Sequence, residues 1–113
     1  MHEMALAEGV LRICQDHASA AGAERVVVVW LEIGALSHVD PDALAFSFTA
    51  VVKGTLAEGA RLEIERSPGR AWCHDCGKQV SLAALIDPCP DCGGYTLQVT
   101  AGEEMRVKEM EVS

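Results

Sequence analysis

The sequence has few basic residues, few aromatic residues and no long apolar run. It contains 9 Lys and Arg residues against 17 Asp and Glu residues, which gives a formal net charge of −8. An acidic surface repels phosphate backbones and so argues against a nucleic-acid-binding protein. The longest unbroken run of aliphatic and aromatic residues, Val26 to Leu31, is far shorter than the ~20 residues of a membrane helix. We therefore predict neither nucleic-acid binding nor a membrane span.

The beginning of the chain lacks the features of a secretory signal peptide. It opens Met-His-Glu, with no basic region before an apolar stretch, and we therefore expect a cytoplasmic protein. The 113 residues are enough for one modest core, or for one core and a small metal-stabilised lobe. Half of the residues are hydrophobic, which argues against a disordered chain.

Four of the five cysteines form two close pairs: Cys73 with Cys76, and Cys89 with Cys92. Two residues between thiols allow one tight turn to aim both sulfurs at a single point. A second such turn completes the tetrahedron that Zn²⁺ accepts from thiolates. A glycine directly follows each pair, and it tolerates the positive φ angle that curls the backbone around the sulfurs. We predict a structural zinc ribbon in the segment that carries both pairs, residues 68–100, called here the cysteine lobe.

Other chemistry is open to these thiols. Disulfides form a second interpretation, which a reducing cytoplasm disfavours. A redox pair or an iron site is a third, and it is weakened by the presence of two pairs that are each followed by glycine. The fifth cysteine, Cys14, lies in a helical pattern, and we predict that it is a small buried apolar residue.

The apolar pattern outside the cysteine lobe predicts two helices and several strands. A first helix is expected over residues 4–22 and a strand over Arg25 to Gly34, where β-branched residues dominate. One face of this strand would carry Val27, Val29, Leu31 and Ile33. Asp40 is a suitable N-cap for a second helix, since Pro41 follows it at the first helical position. A short alternating strand follows at Arg61 to Glu65.

The last segment, Glu103 to Val112, has a strand pattern whose apolar phase slips by one residue, which indicates a bulge or a kink. We expect this strand to return to the first sheet. The predicted fold is therefore α+β, a small mixed sheet with two helices and an inserted four-cysteine zinc-ribbon lobe. Its domains would be residues 1–67 with 101–113, which form an α/β domain, and residues 68–100, which form the zinc ribbon.

The first three residues, Met1, His2 and Glu3, are candidates for a second metal site, in the α/β domain. A free α-amine, the backbone nitrogen of His2 and its imidazole can close two fused chelate rings on one metal ion. Such nitrogen donors suit a late divalent ion such as Ni²⁺ or Cu²⁺, and Glu3 can add a carboxylate. On the residues alone, an incidental histidine at a chain end is the favoured interpretation, because short motifs often occur by chance.

Several features of the chain occur together and resemble a known family. They are Met-His-Glu at the start, a helix, the stretches VxVxLEIGALSHVDPDALAFSF and GTLAEGARLEIE, the motifs CHDC and CPDC, and an acidic and apolar final strand. The set resembles the hydrogenase nickel-incorporation family, HypA/HybF, over residues 1–112. The combination is specific, whereas a zinc ribbon alone would not be.

The resemblance implies a nickel metallochaperone that is not an enzyme. Its Ni(II) cargo would be bound by Met1, His2 and Glu3, and structural Zn(II) by Cys73, Cys76, Cys89 and Cys92. The implied partners are a HypB-type GTPase and the large-subunit precursor of nickel–iron hydrogenase, which receives nickel during maturation. Urease accessory proteins are further candidates, because some members also serve urease. Both a monomer and a homodimer are compatible with the sequence.

Two other functions are compatible with the residues. A zinc-ribbon adaptor could recruit a partner without any nickel role, and a zinc-ribbon nucleic-acid binder is disfavoured by the charge. His17 is expected at the edge of a helix face and His38 in a loop, with His38 also a candidate neighbour of the nickel site. Asp40 could support His2 as well as cap its helix. No nucleophile–base pair and no carboxylate dyad is evident, so an enzyme is not expected.

Overall fold

The computed structural model describes residues 2–113 and contains two helices and six strands in these residues. In chain order they are α1 (His2–Ala20), β1 (Val26–Gly34), α2 (Pro41–Val51), β2 (Arg61–Ser67), β3 (Gly69–Cys73), β4 (Lys78–Leu82), β5 (Leu97–Ala101) and β6 (Met105–Val112). The strands form two three-stranded sheets, in the orders β2-β1-β6 and β4-β3-β5. The predicted α+β class is confirmed, and so is the return of the last strand to the first sheet.

The chain divides into two compact units. The first comprises the described residues up to Leu31, together with Val39–Glu65 and Arg106–Ser113, and the second comprises Glu32–His38 and Arg66–Met105. Neither helix in residues 2–113 combines the length and the apolar character that crossing a membrane requires. The functional division at residues 68–100 stays a prediction.

The core of the first unit lies between the two helices and strand β1. Its fully buried side chains include Val10 and Cys14 from α1, Leu44 from α2, and Val29 and Leu31 from β1. Cys14 is completely buried, and its burial raises the pKa of its thiol to about 11. The prediction that Cys14 is a small core residue is confirmed.

Local residues explain where α1 ends and where α2 begins. Gly22 has a φ of 68° just after α1, and Ala23 donates its N–H to the carbonyl of Ala18 at 2.8 Å, which gives the first helix a glycine-dependent end. Asp40 caps α2, and its Oδ1 accepts from the N–H groups of Asp42 at 3.0 Å and Ala43 at 3.3 Å. The predicted N-cap is confirmed.

Strand β1 corrects the prediction that Val27 shares a face with Val29, Leu31 and Ile33. Val28 and Val29 are both buried, whereas Val27 is 38% exposed. The inward phase therefore slips by one residue between positions 28 and 29. A matching slip occurs in β6, where Lys108 and Glu109 are both exposed between half-buried neighbours. The slip predicted in the last strand is thus confirmed, and the one in β1 was missed because its run of valines conceals any alternation.

The second unit has its own small core on one face of the β4-β3-β5 sheet. The buried members of this core include both cysteines and aliphatic residues, namely Leu36, Ala71, Cys73, Val80, Leu82 and Cys89. Strand β3 pairs antiparallel with β4, and Cys73 lies opposite Lys78. It also pairs antiparallel with β5, with a register shift between Arg70 and Ala71. This sheet places Cys73 at the end of its central strand, where the first cysteine pair begins.

Candidate metal centres

The first turn of α1 lies beside the N-terminus of α2. The Glu3 carboxylate accepts a long hydrogen bond, 3.4 Å, from the backbone N–H of Asp40. Asp40 is itself the N-cap of α2, so the contact joins the beginnings of the two helices. Because a helix N-terminus favours negative charge, this is a suitable place for the Glu3 carboxylate. The contact fixes the position of Glu3 next to His2.

The side chains of His2 and Glu3 lie close to each other but differ in exposure. The Nδ1 of His2 is 3.5 Å from Oε2 of Glu3, and the two side chains are 57% and 16% exposed. Backbone N–H groups, first that of Glu3 itself and then that of Asp40, donate to the carboxylate and lower the pKa of Glu3. The carboxylate is therefore ionised at neutral pH, beside an imidazole that solvent can reach.

The sequence also assigns Met1 to the nickel site, and this residue lies outside those that the structure describes. Within residues 2–113, the four paired cysteines form the one group of three or more His, Cys, Asp or Glu side chains close enough to share a metal ion. His38 is exposed and does not join such a group with His2 and Glu3. A metal at this end of the chain would therefore need nitrogen donors of the main chain as well.

The first knuckle, residues 73–76, leaves the end of β3 in a tight turn. The N–H of Cys76 points at the sulfur of Cys73 at 3.4 Å. Gly77 donates to the carbonyl of Cys73 at 2.8 Å and has a φ of 67°, a left-handed conformation that favours glycine. The predicted reason for a glycine after the first pair is confirmed.

The second knuckle, residues 89–92, repeats this geometry outside any strand. Gly93 donates to the carbonyl of Cys89 at 2.9 Å and has a φ of 75°. The N–H of Cys89 donates to the carbonyl of Gly94 at 2.8 Å and closes the turn. Two equivalent turns therefore present two thiols each, as the spacing in the sequence predicts.

The four sulfurs converge on one point. Cys73 Sγ is 3.7 Å from Cys92 Sγ, and Cys76 Sγ is 3.8 Å from Cys89 Sγ, and all four lie within 4.8 Å of one another. A tetrahedron with zinc–sulfur bonds of about 2.3 Å has sulfur–sulfur edges of about 3.8 Å. Each close contact pairs a cysteine of one knuckle with a cysteine of the other. The donor set and its spacing fit a tetrahedral thiolate-bound metal ion such as zinc.

The thiols of the cluster differ in acidity. The backbone N–H groups of Cys92 and Asp91 help to lower the pKa of Cys89 to about 7, that of Cys92 most strongly. The hydrogen bond to the Cys92 sulfur is the main reason that the pKa of Cys76 rises to about 12, with burial next. Thiolates this close repel one another. A divalent cation among them would allow all four to ionise together.

One ion pair of the cysteine lobe was not predicted from the sequence. Lys78, which begins β4, lies with its Nζ 2.7 Å from Oδ2 of Asp91 in the second knuckle. The signal was present, because both knuckles have the pattern Cys-x-Asp-Cys-Gly, which places an acidic residue beside a ligand in each. Only the folded lobe shows which residue each aspartate faces.

Two histidines outside the N-terminal turn carry no metal-binding arrangement in residues 2–113. His17 is exposed near the end of α1, as its predicted position at the edge of a helix face allows. His74 is exposed inside the first knuckle, where its backbone N–H donates to the carbonyl of Thr96 at 3.0 Å. With four sulfurs already converging, neither imidazole is needed to complete the cluster.

Comparison with known proteins identifies relatives that match the whole chain. The family model described as hydrogenase/urease nickel incorporation, metallochaperone, hypA matches residues 1–112. A Hydrogenase maturation factor HypA from Rhodopseudomonas palustris (strain TIE-1) is 56% identical over 112 residues, 99% of each chain. Hydrogenase maturation factor HypA 2 from Bradyrhizobium diazoefficiens is 57% identical over 112 residues, also 99% of each chain.

Solved structures show the same fold. A solution structure of a HypA protein superposes with a TM-score of 0.74 at 25% identity, and the match covers 100% of this chain and 97% of that one. The solution structure of the Ni metallochaperone HypA from Helicobacter pylori has a TM-score of 0.70 at 24% identity, covering 97% of this chain and 96% of that one. At this identity the second likeness supports the fold alone.

Proposed function

The chain belongs to the HypA family of hydrogenase and urease nickel-incorporation metallochaperones, and on that premise we propose how it handles nickel. It binds Ni(II) at its N-terminus through Met1, His2 and Glu3. With a partner GTPase of the HypB type, it delivers the ion to the large-subunit precursor of nickel–iron hydrogenase in the cytoplasm. The hydrogenase is chosen over urease because the two relatives described above are named as hydrogenase maturation factors.

The observation that carries this proposal is the contact between Glu3 and the backbone of Asp40. It ties the first turn of α1 to the N-terminus of α2 while the imidazole of His2 remains 57% exposed. The first backbone N–H groups of a helix have no acceptor within the helix. The His2 amide is therefore not needed for a helical hydrogen bond, and it would bind nickel by giving up its proton to solvent, beside the ionised carboxylate of Glu3.

Such a site suits a cargo that has to leave again. Amine, amide and imidazole nitrogens are good donors for Ni²⁺, although Cu²⁺ has a higher intrinsic affinity for them. Selectivity must therefore come from geometry, metal supply and partner proteins. Since the imidazole faces solvent, a partner's ligands can reach the metal and replace those of this chain one at a time.

We propose zinc as the resident ion of Cys73, Cys76, Cys89 and Cys92. It would neutralise part of the charge of four thiolates and fix the two knuckles to each other, a structural role with no open coordination position. Residues 68–100 would form the zinc-ribbon domain, and residues 1–67 with 101–113 the nickel-binding domain. Nucleotide hydrolysis would belong to the GTPase partner.

Calorimetric titration with Ni²⁺ tests the nickel site, using protein with its authentic N-terminus. We expect about one nickel ion per chain, loss of binding in His2→Ala, and weaker binding when a residue precedes Met1 and displaces the amine. His17→Ala is the matched control, because it removes an exposed histidine near the other end of the same helix. If His2→Ala and the extended chain bind nickel as well as the parent, the N-terminal site is refuted.

The same titration decides the second candidate, a zinc-ribbon adaptor without a nickel role. The observation in its favour is the cysteine geometry, which needs no nickel. Protein that contains zinc but binds no Ni²⁺, by calorimetry and by equilibrium dialysis, would refute the chaperone and favour the adaptor. A nickel isotherm that depends on His2 would exclude the adaptor.

A further inference from the structure

The two knuckles are sequence repeats as well as structural repeats. Each has an aspartate at its third position, Asp75 in the first and Asp91 in the second. The residues two positions after the last cysteine of each knuckle are Lys78 and Gly94. The two segments therefore share the pattern Cys-x-Asp-Cys-Gly and then differ at the residue that follows the glycine.

Each aspartate lies close to the residue that comes two positions after the other knuckle. Asp91 contacts Lys78, with 2.7 Å between Oδ2 and Nζ. Asp75 reaches Gly94, because a Cβ built on Gly94 would lie 2.7 Å from Oδ2 of Asp75 and 3.4 Å from the sulfur of Cys92. The two contacts are therefore reciprocal, but one aspartate lies beside a cation and the other beside a glycine.

The cysteines are unequally protected from solvent. Cys73 and Cys89 are buried and Cys76 is half-buried, whereas Cys92 is exposed. Asp91 directly precedes Cys92 in the chain. The ion pair to Lys78 therefore tethers the part of the second knuckle that carries the most accessible sulfur.

We propose that the Lys78–Asp91 ion pair is a latch that holds Cys92 in the ligand set and slows the departure of zinc. This inference rests on the proposed zinc occupancy of the four cysteines. Exchange begins when the most exposed ligand swings away and a competing ligand takes its place. Lys78 opposes this step, because its ion pair holds Asp91, the residue before Cys92, at the beginning of β4. Lys78 and Asp91 are positioning residues that do not themselves bind the metal.

The expected effect is modest, because the two side chains are 57% and 49% exposed. Exposed ion pairs of this kind correspond to about a 1.5- to 5-fold change in an equilibrium or rate. High salt screens such pairs, so the effect of the latch should shrink as the ionic strength rises.

The test measures zinc release from the full chain into an excess of a chromophoric chelator, after the zinc content has been determined. Lys78→Met should release zinc about 1.5- to 5-fold faster than the parent at low salt, with little difference at 1 M salt. Lys108→Met is the matched control, since Lys108 makes an ion pair of similar exposure with Glu65, 2.8 Å long, on the other sheet. Equal release from the two variants would overturn the latch.

Two further variants separate the latch from a general loss of stability. Exchanging the pair, as Lys78→Asp with Asp91→Lys, should restore slow release. Gly94→Lys should create the mirror-image pair with Asp75 and slow release below the parental rate, whereas Gly94→Ala should not. Gly94 does not have a positive φ, and the Cβ meets the end of an exposed side chain that can move aside. Failure of both the exchange and Gly94→Lys to slow release would also refute the latch.

The outcomes distinguish this inference from the function it rests on. A parent protein without zinc would refute the zinc assignment itself. If every variant holds one zinc ion per chain and the release rate does not change with substitutions at residues 78, 91 and 94, only the latch is refuted. The zinc assignment would then stand.

Discussion

The first turn of α1 and the cysteine lobe offer metal ligands in opposite ways. At the N-terminal turn, the His2 side chain is mostly exposed, and the neighbouring Glu3 accepts one long hydrogen bond from Asp40. In the cysteine lobe, two of the four sulfurs are almost fully buried, Cys73 at 0% and Cys89 at 1% exposure. The difference agrees with the roles proposed above, a cargo site that must exchange its ion and a structural site that must retain it.

The two sites also depend on different amounts of the fold. The N-terminal turn needs two helix starts that lie side by side. The cysteine lobe needs a three-stranded sheet, two left-handed glycines and close backbone contacts. Loss of the cysteine cluster should therefore disturb far more structure than loss of the contacts at the N-terminal turn.

The largest effect is expected for Cys73→Ala. Removal of a buried ligand should abolish stoichiometric zinc binding and unfold the second unit, because metal binding and folding are coupled at such sites, where the free energy involved is about 10–16 kcal/mol in zinc-finger peptides. Zinc content and amide hydrogen exchange measure this. Cys14→Ala is the control, as it removes a buried thiol of the first unit and should leave one zinc ion per chain. Full zinc content in Cys73→Ala would contradict the assignment.

A smaller effect is expected for Gly34→Ala, which tests the backbone contacts of the second unit. A Cβ at this position would overlap the carbonyl of Gly102, which is main chain and cannot rotate away. We expect a loss of about 1–3 kcal/mol in the free energy of unfolding, measured by urea denaturation with zinc present.

Gly9→Ala provides the matched control for that change. Gly9 lies inside α1 with no atom within 4 Å of a built Cβ, so alanine there should stabilise the protein by about 0.5–1 kcal/mol. Opposite signs for the two substitutions would support the packing argument. If Gly34→Ala left the free energy of unfolding unchanged, the main chain at Gly102 would be able to move away from residue 34 without cost.

The smallest effect is expected for Asp40→Ala, at the other centre. Loss of the N-cap should lower the free energy of unfolding by about 1 kcal/mol, while Asp40→Asn, which can still accept the two hydrogen bonds, should restore most of it. Thermal unfolding measures the change, and zinc content should stay at the parental level. A loss of zinc in Asp40→Ala would contradict the view that the two centres are held independently.

Much of the fold could be predicted from local patterns. The helix containing Cys14, the N-cap at Asp40 and the left-handed glycines after each knuckle were all predicted, because each depends on residues only a few positions apart. The slip at Val28 and Val29 could not be predicted, because a run of valines is compatible with either face.

The sequence by itself determined the ligand types and their spacing: a histidine and a glutamate at the extreme start, and two pairs of thiols that can each close one turn. These are properties of short segments, because bond geometry fixes how far two nearby donors can be apart. Tertiary structure alone decided which groups from distant segments meet. It brought the backbone of Asp40 to Glu3 and Asp91 to Lys78, and it left Cys92 more exposed than the other three ligands. Such contacts depend on how helices and strands pack, a long-range outcome that no local pattern encodes.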